Sequence, residues 1–140
     1  MTTFIEPDTV PFVVYVDTSA AVKLLNEEPE RPAVRSFLDG PVIPVSSDLL
    51  ETELRRAANR NGIDQQDVVT VLDGINLTPI DRSLFRGAGL LPHPTLRSLD
   101  ALHLAAALEV DAHAIVTYDE RMAEAALGLG LAVITPGASD

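Results

Sequence analysis

The chain has 140 residues, enough for one domain whose core buries roughly two thirds of the extended surface. Its 46% hydrophobic content excludes a disordered chain, and the absence of cysteine excludes disulfides, thiolate metal ligands and a thiol nucleophile. Ten Lys and Arg against 21 Asp and Glu give a formal net charge of −11, which opposes non-specific attraction to a phosphate backbone.

Residues 1–11 are polar, contain Pro7 and Pro11 and show no period, so they are expected to form a flexible N-terminal arm. The apolar run Phe12–Val16 predicts a first strand that ends at Asp17. A helix is expected directly after it, with Ala20, Ala21, Leu24 and Leu25 inward, broken by the Glu- and Pro-rich stretch Glu27–Pro32. A short helix through Val34, Phe37 and Leu38 stops at Gly40. Val42–Val45 predicts the second strand, and Ser46 or Ser47 then caps a longer helix running to Asn61 and Gly62.

Asp64 or Gln65 opens a fourth helix through Val68, Val69 and Leu72, and Leu77–Ile80 predicts the third strand. Gly87–Pro94 reads as a Gly and Pro loop, with Ser98 placed to cap a helix over Leu99–Glu109. Ala114–Tyr118 predicts the fourth strand, and Asp119 opens a helix through Met122, Ala125, Ala126 and Leu127. Ala132–Thr135 predicts the last strand, which leaves a domain over 12–135 and a frayed tail over 136–140. Strands alternating with helices predict an α/β fold with a parallel sheet covered by helices. No basic-then-apolar N-terminal segment appears and no apolar run approaches the roughly 18 residues of a membrane span, so a soluble, cytoplasmic protein without membrane attachment is expected.

Four acids stand out against this pattern. Asp17 ends the first strand, at the sheet edge where open α/β sheets bind ligands; its alternative role is capping the next helix. Asp119 has the same position after the fourth strand, and the same alternative. Asp100 opens a helix that is apolar on nearly all sides, where a charge is costly unless paired or metal-bound; complementing the helix dipole is the blander explanation. His103 lies three residues on, on the same face, and reads as a satisfied structural histidine near the site.

On the third helix Glu51 and Glu53 compete. The apolar stripe Leu49, Leu50, Leu54, Ala57 and Ala58 brackets Glu53, whereas Glu51 points towards Asp48 and Arg55. Carboxylates gathered at one sheet edge repel one another unless a cation lies between them, and such hard oxygen ligands favour Mg²⁺ or Mn²⁺. Arg55, Arg56, Arg60, Arg82, Arg86 and Arg97 could grip phosphates or simply pair with the many acids. A receiver or haloacid-dehalogenase reading fails because the only lysine, Lys23, lies in the first helix, and position 19 is Ser.

The segments YVDTSAAVKLL, LLETELRRAA, LRSLDALHLAAAL and IVTYDERMAEAALGLGLAVI, taken together and in order, resemble the PIN-domain ribonucleases. The closest likeness is to the VapC toxins of bacterial toxin–antitoxin pairs. That resemblance implies a three-layer sandwich around a sheet of about five parallel strands. It also implies a site built from Asp17, Glu53, Asp100 and Asp119 and lined by Ser19 and Thr117. Mg²⁺ or Mn²⁺, an RNA substrate, a homodimer and an inhibitory VapB-like antitoxin are implied as well. With these ligands the expected reaction is hydrolysis of a phosphodiester by metal-activated water, without a protein nucleophile. The rival reading is a catalytically silent domain of the same fold whose acidic groove binds a basic partner.

Overall fold

The computed structural model describes residues 11–138; most of the expected N-terminal arm therefore lies outside the described residues. Five short strands form one parallel sheet: β1 (Val13–Val16), β2 (Ile43–Ser47), β3 (Asn76–Thr78), β4 (Ala114–Val116) and β5 (Ala132–Ile134), in the order β3-β2-β1-β4-β5. Helices α1 (Thr18–Leu25), α2 (Arg31–Leu38), α3 (Leu49–Asn61) and α4 (Gln65–Asp73) connect the first three strands. Helices α5 (Arg82–Gly89), α6 (Ser98–Glu109) and α7 (Glu120–Gly128) connect the rest. The expected α/β sandwich with about five parallel strands is what forms.

The central strands are apolar on both faces, as a sheet sandwiched between helices requires. Val14, Val16, Ala114 and Val116 face a core shared with Leu24, Leu50, Leu54 and Val68 from α1, α3 and α4. Tyr15, Val45 and Ile115 face the opposite core, with Leu84 of α5, Leu104 of α6 and Met122 of α7. Sandwiching also explains why α6 has little amphipathic character: Ala101 to Ala107 are all buried, His103 among them.

The chain runs outward from β1 to β2 and β3, then crosses back to lay β4 on the other side of β1. The direction of winding reverses between β1 and β4, which opens a crevice at their carboxyl ends. Asp17 follows β1 immediately, its N–H donating to the Val116 carbonyl at 3.0 Å, and Asp119 follows β4 by three residues.

Three local expectations need correction. Ser46 and Ser47 do not cap α3; β2 continues through both, because their hydroxyls find partners inside the sheet, Ser46 Oγ donating to the Val16 carbonyl (2.8 Å) and Ser47 Oγ accepting from the Tyr15 hydroxyl (3.0 Å). Asp48 occupies the cap position of α3 instead. Ser98 is the first helical residue of α6, and Arg97 stands at its N-cap. The expected loop over Gly87–Pro94 begins only at Leu90, since α5 extends to Gly89 and buries Leu84 and Ala88. Of the expected tail, Pro136 accepts a hydrogen bond from the Tyr118 hydroxyl, and Gly137 (φ 80°) sits where any side chain would crowd Ala33.

Candidate active site

Asp17 is 4% exposed, and its carboxylate does not cap α1. Its Oδ2 accepts hydrogen bonds from Ser19 Oγ and Thr117 Oγ1, each 2.8 Å, and these two hydroxyls lie 3.2 Å apart. Ser19 Oγ in turn accepts from the Tyr118 N–H at 2.9 Å, and Thr117 Oγ1 accepts from the Asp119 N–H at 3.1 Å. The two small hydroxyl residues thus tie the end of β1 to the segment after β4. Among the described residues nothing donates to Asp17 Oδ1, which leaves that oxygen available at the crevice.

Asp119 does cap a helix: its Oδ1 accepts from the Met122 N–H at 2.9 Å. The capping reading therefore holds for Asp119 and fails for Asp17. Asp119 also lines an open groove of about 370 Å³ with Arg97, Asp100, Tyr118, Glu120 and Arg121. Capping occupies one carboxylate oxygen and leaves the other for this groove.

Asp100 is half-buried in the first turn of α6. Burial, and then the charges of Asp17, Asp119 and Glu53, hold its carboxyl above the usual range, against a smaller opposing pull from His103. Burial is the larger cause, and the neighbouring acids add to it. Among the described residues, however, no three acidic or histidine side chains are grouped so as to hold a metal ion.

Glu53 and Glu51 separate as helix geometry suggests. Glu51 pairs along α3 with Arg55 at 2.9 Å. Glu53 turns to the sheet edge, where its Oε1 accepts from Thr18 Oγ1 at 2.9 Å and lies 2.5 Å from His103 Nε2. Burial raises the Glu53 pKa, but the His103 and Thr18 contacts outweigh it and the net shift is downward. For His103 burial pulls the pKa down, and the Glu53 hydrogen bond with the charges of Asp17, Glu53 and Asp100 carries it above the ordinary value.

His103 is fully buried, and its Nδ1 lies 2.7 Å from the Tyr15 hydroxyl. Tyr15, Ser47 and Thr18 are the site-linked residues that sequence reasoning missed. The phenol was legible only as an apolar strand position, and its contact with His103 spans 88 residues. A larger cavity, about 580 Å³, lies at the far ends of α1 and α3, lined by Leu25, Asn26, Arg31, Asn61 and Asp64 among others. It shares no residue with the acidic edge, so volume alone does not mark the site.

A PIN domain model matches residues 14–127, which takes in all four acids. Ribonuclease VapC35 of Mycobacterium tuberculosis is 39% identical over 132 residues, covering 89% of this chain and 98% of the relative. Ribonuclease VapC46 of the same species is 43% identical over 127 residues, covering 88% and 97%. The toxin–antitoxin complex from Klebsiella pneumoniae shares the fold with a TM-score of 0.69 at 19% identity, covering 90% of this chain and 99% of that one. M. tuberculosis VapC20, a toxin that cleaves the sarcin–ricin loop, does so with a TM-score of 0.68 at 18% identity, covering 80% and 94%. The chain belongs to the PIN-domain family and, within it, to the VapC ribonucleases.

Proposed function

We propose that the protein is a metal-dependent endoribonuclease that acts as the toxin of a VapBC pair, with Asp17, Glu53, Asp100 and Asp119 as its working acids. The observation that carries this reading is Asp17 at the β1/β4 crevice, almost wholly buried with one oxygen unbonded, and near enough to Asp100 that its charge, with those of Asp119 and Glu53, acts on that carboxyl. The family's ribonuclease activity supports it from an independent direction.

The chemistry of the donors suits Mg²⁺ or Mn²⁺. They are hard carboxylate oxygens, and a divalent cation would offset the burial and the neighbouring negative charges that together raise the Asp100 pKa. Asp17, Asp100 and Asp119 would hold the ion, with Glu53 as a further ligand or the group that orients the attacking water. Bound there, the ion supplies a polarised phosphodiester and a more acidic water. Ser19 and Thr117, which both donate to Asp17 Oδ2, hold its carboxylate in place.

RNA is held through Arg97 and Arg121, which flank the acids in the groove and have no carboxylate within 4.0 Å among the described residues. A VapB-like antitoxin that covers the groove, and a homodimer, complete the assembly. Phe85, Leu90 and Leu99 are exposed large apolar residues on α5, α6 and the turn between them, a surface suited to a second copy. The direct test is cleavage of an RNA oligonucleotide with Mg²⁺ or Mn²⁺ and with chelator. Cleavage that needs the ion supports the reading; full cleavage in chelator, or none with either ion, overturns it.

A further inference from the structure

A continuous polar chain runs through the interior and ends on one acid of the site. Ser47 Oγ lies 3.0 Å from the Tyr15 hydroxyl, that hydroxyl 2.7 Å from His103 Nδ1, and His103 Nε2 2.5 Å from Glu53 Oε1. Thr18 Oγ1 donates to the same Glu53 oxygen at 2.9 Å and lies 3.1 Å from Nε2. Ser47, Tyr15 and His103 are all fully buried. Buried polar groups of this kind destabilise the core unless bonded, and apolar residues would fill the space at lower cost.

Counting hydrogens fixes the direction of the last bond. A carboxylate can only accept, so the proton between His103 and Glu53 belongs to Nε2. Tyr15 donates its only hydrogen to Ser47 Oγ, so its oxygen is the acceptor towards Nδ1. Nε2–H points at Glu53, and Tyr15 serves the ring nitrogen that faces away from the site.

The chain also spans the layers. His103 rides on α6, on the Tyr15 face of the sheet, whereas the neighbours of Glu53 on α3, Leu50 and Leu54, belong to the opposite core. One helix therefore brings Asp100 to the site and, three residues later, the group that holds an acid from the other layer.

We propose that His103 is a positioning residue for Glu53, and that Tyr15 and Ser47 set its ring through the buried hydrogen-bond chain. The proposal rests on the reading of Glu53 as a working acid of the nuclease site. Support behind a metal ligand or a water-orienting acid commonly contributes about 10–100-fold.

The test compares Tyr15→Phe, His103→Leu, His103→Gln and Glu53→Ala, singly, with the double variant Tyr15→Phe/Glu53→Ala, in cleavage of an RNA oligonucleotide with Mn²⁺. Circular dichroism and thermal unfolding check the fold of each. Tyr15→Phe is expected to lower kcat by about 10–100-fold with KM for RNA unchanged. His103→Gln, whose amide nitrogen can still donate to Glu53, is expected to recover much of the activity that His103→Leu loses. The double variant is expected to cleave no more slowly than Glu53→Ala alone, because Tyr15 acts only through Glu53.

Wild-type kcat in Tyr15→Phe, or multiplicative losses in the double variant, would overturn the proposal while leaving the site reading intact. Wild-type activity in Glu53→Ala would overturn the site reading, and the proposal with it. His103→Leu is not essential to the outcome, since Tyr15→Phe removes one oxygen without opening a cavity and carries the test if the leucine variant does not fold.

Discussion

Asp17 and Asp119 occupy equivalent places after adjacent strands, yet one is held by side chains across the crevice and the other by its own helix. Sequence spacing gave both the same two readings, and only the partners separate them. Replacing Asp17 with Asn keeps its shape and removes its charge, so cleavage is expected to fall by more than the roughly 10–100-fold lost when a partner behind a ligand is removed. Steady-state kinetics on the purified variant checks this, with circular dichroism expected to be unchanged.

The shifted groups also make a pH prediction for the metal-free protein. Folded Asp100 binds its proton more tightly than the unfolded chain, so its contribution to stability is lost as pH rises from its ordinary value of 3.8 through the raised one. His103, raised from 6.5, contributes fully below that value and loses its contribution as pH rises through the folded one. Both contributions have the same sign. Thermal unfolding in chelator is expected to give a Tm lower at about pH 8 than at about pH 5, and Mn²⁺ is expected to reduce the difference. A Tm that rises over that range would contradict the electrostatic picture.

At the scale of elements, α6 presents the site from a helix that is buried along most of its length. Leu104, fully buried, faces the core shared with Tyr15, Ile115 and Met122. Truncation to Ala is expected to destabilise the fold by about 2–5 kcal/mol, measurable by urea unfolding. Specific activity below the transition should persist, because the residue reaches the site only through the packing of its helix. The buried character of α6 was legible in its sequence, as were the five strands and the inward face of α1. Helix α5 was not: Gly87 and Gly89 signalled a loop, and only Leu84 and Ala88 are buried on it, too short a stripe to reveal a period. Ser46 and Ser47 were misread for a related reason, since a serine that bonds inside a sheet looks the same in sequence as one that caps a helix.

For the whole molecule the question is how a chain with a net charge of −11 holds an anionic substrate. Counterion release gives a salt slope of about −0.7 per neutralised phosphate on a single strand, so few contacts mean shallow dependence. Alanine at Arg97 or at Arg121 is expected to raise KM, leave kcat nearly unchanged and reduce the slope of log(kcat/KM) against log salt by about 0.7. Four acids that bind a divalent cation would also no longer act as free negative charge beside the substrate, which makes the charge balance at the groove milder than the total suggests. The position of this groove followed from sequence, through strands that end in Asp. Its lining by Arg97 together with Arg121, and the link from Glu53 through His103 to Tyr15, depend on contacts distant along the chain. The measurement that bears most directly on the central claim is cleavage of an RNA oligonucleotide by the wild-type protein and by Asp17→Asn, each titrated with Mn²⁺. The wild type is expected to cut in proportion to ion occupancy and the variant to remain inactive at saturating ion; equal, ion-independent cutting by both would contradict the assignment of the acidic edge as the active site.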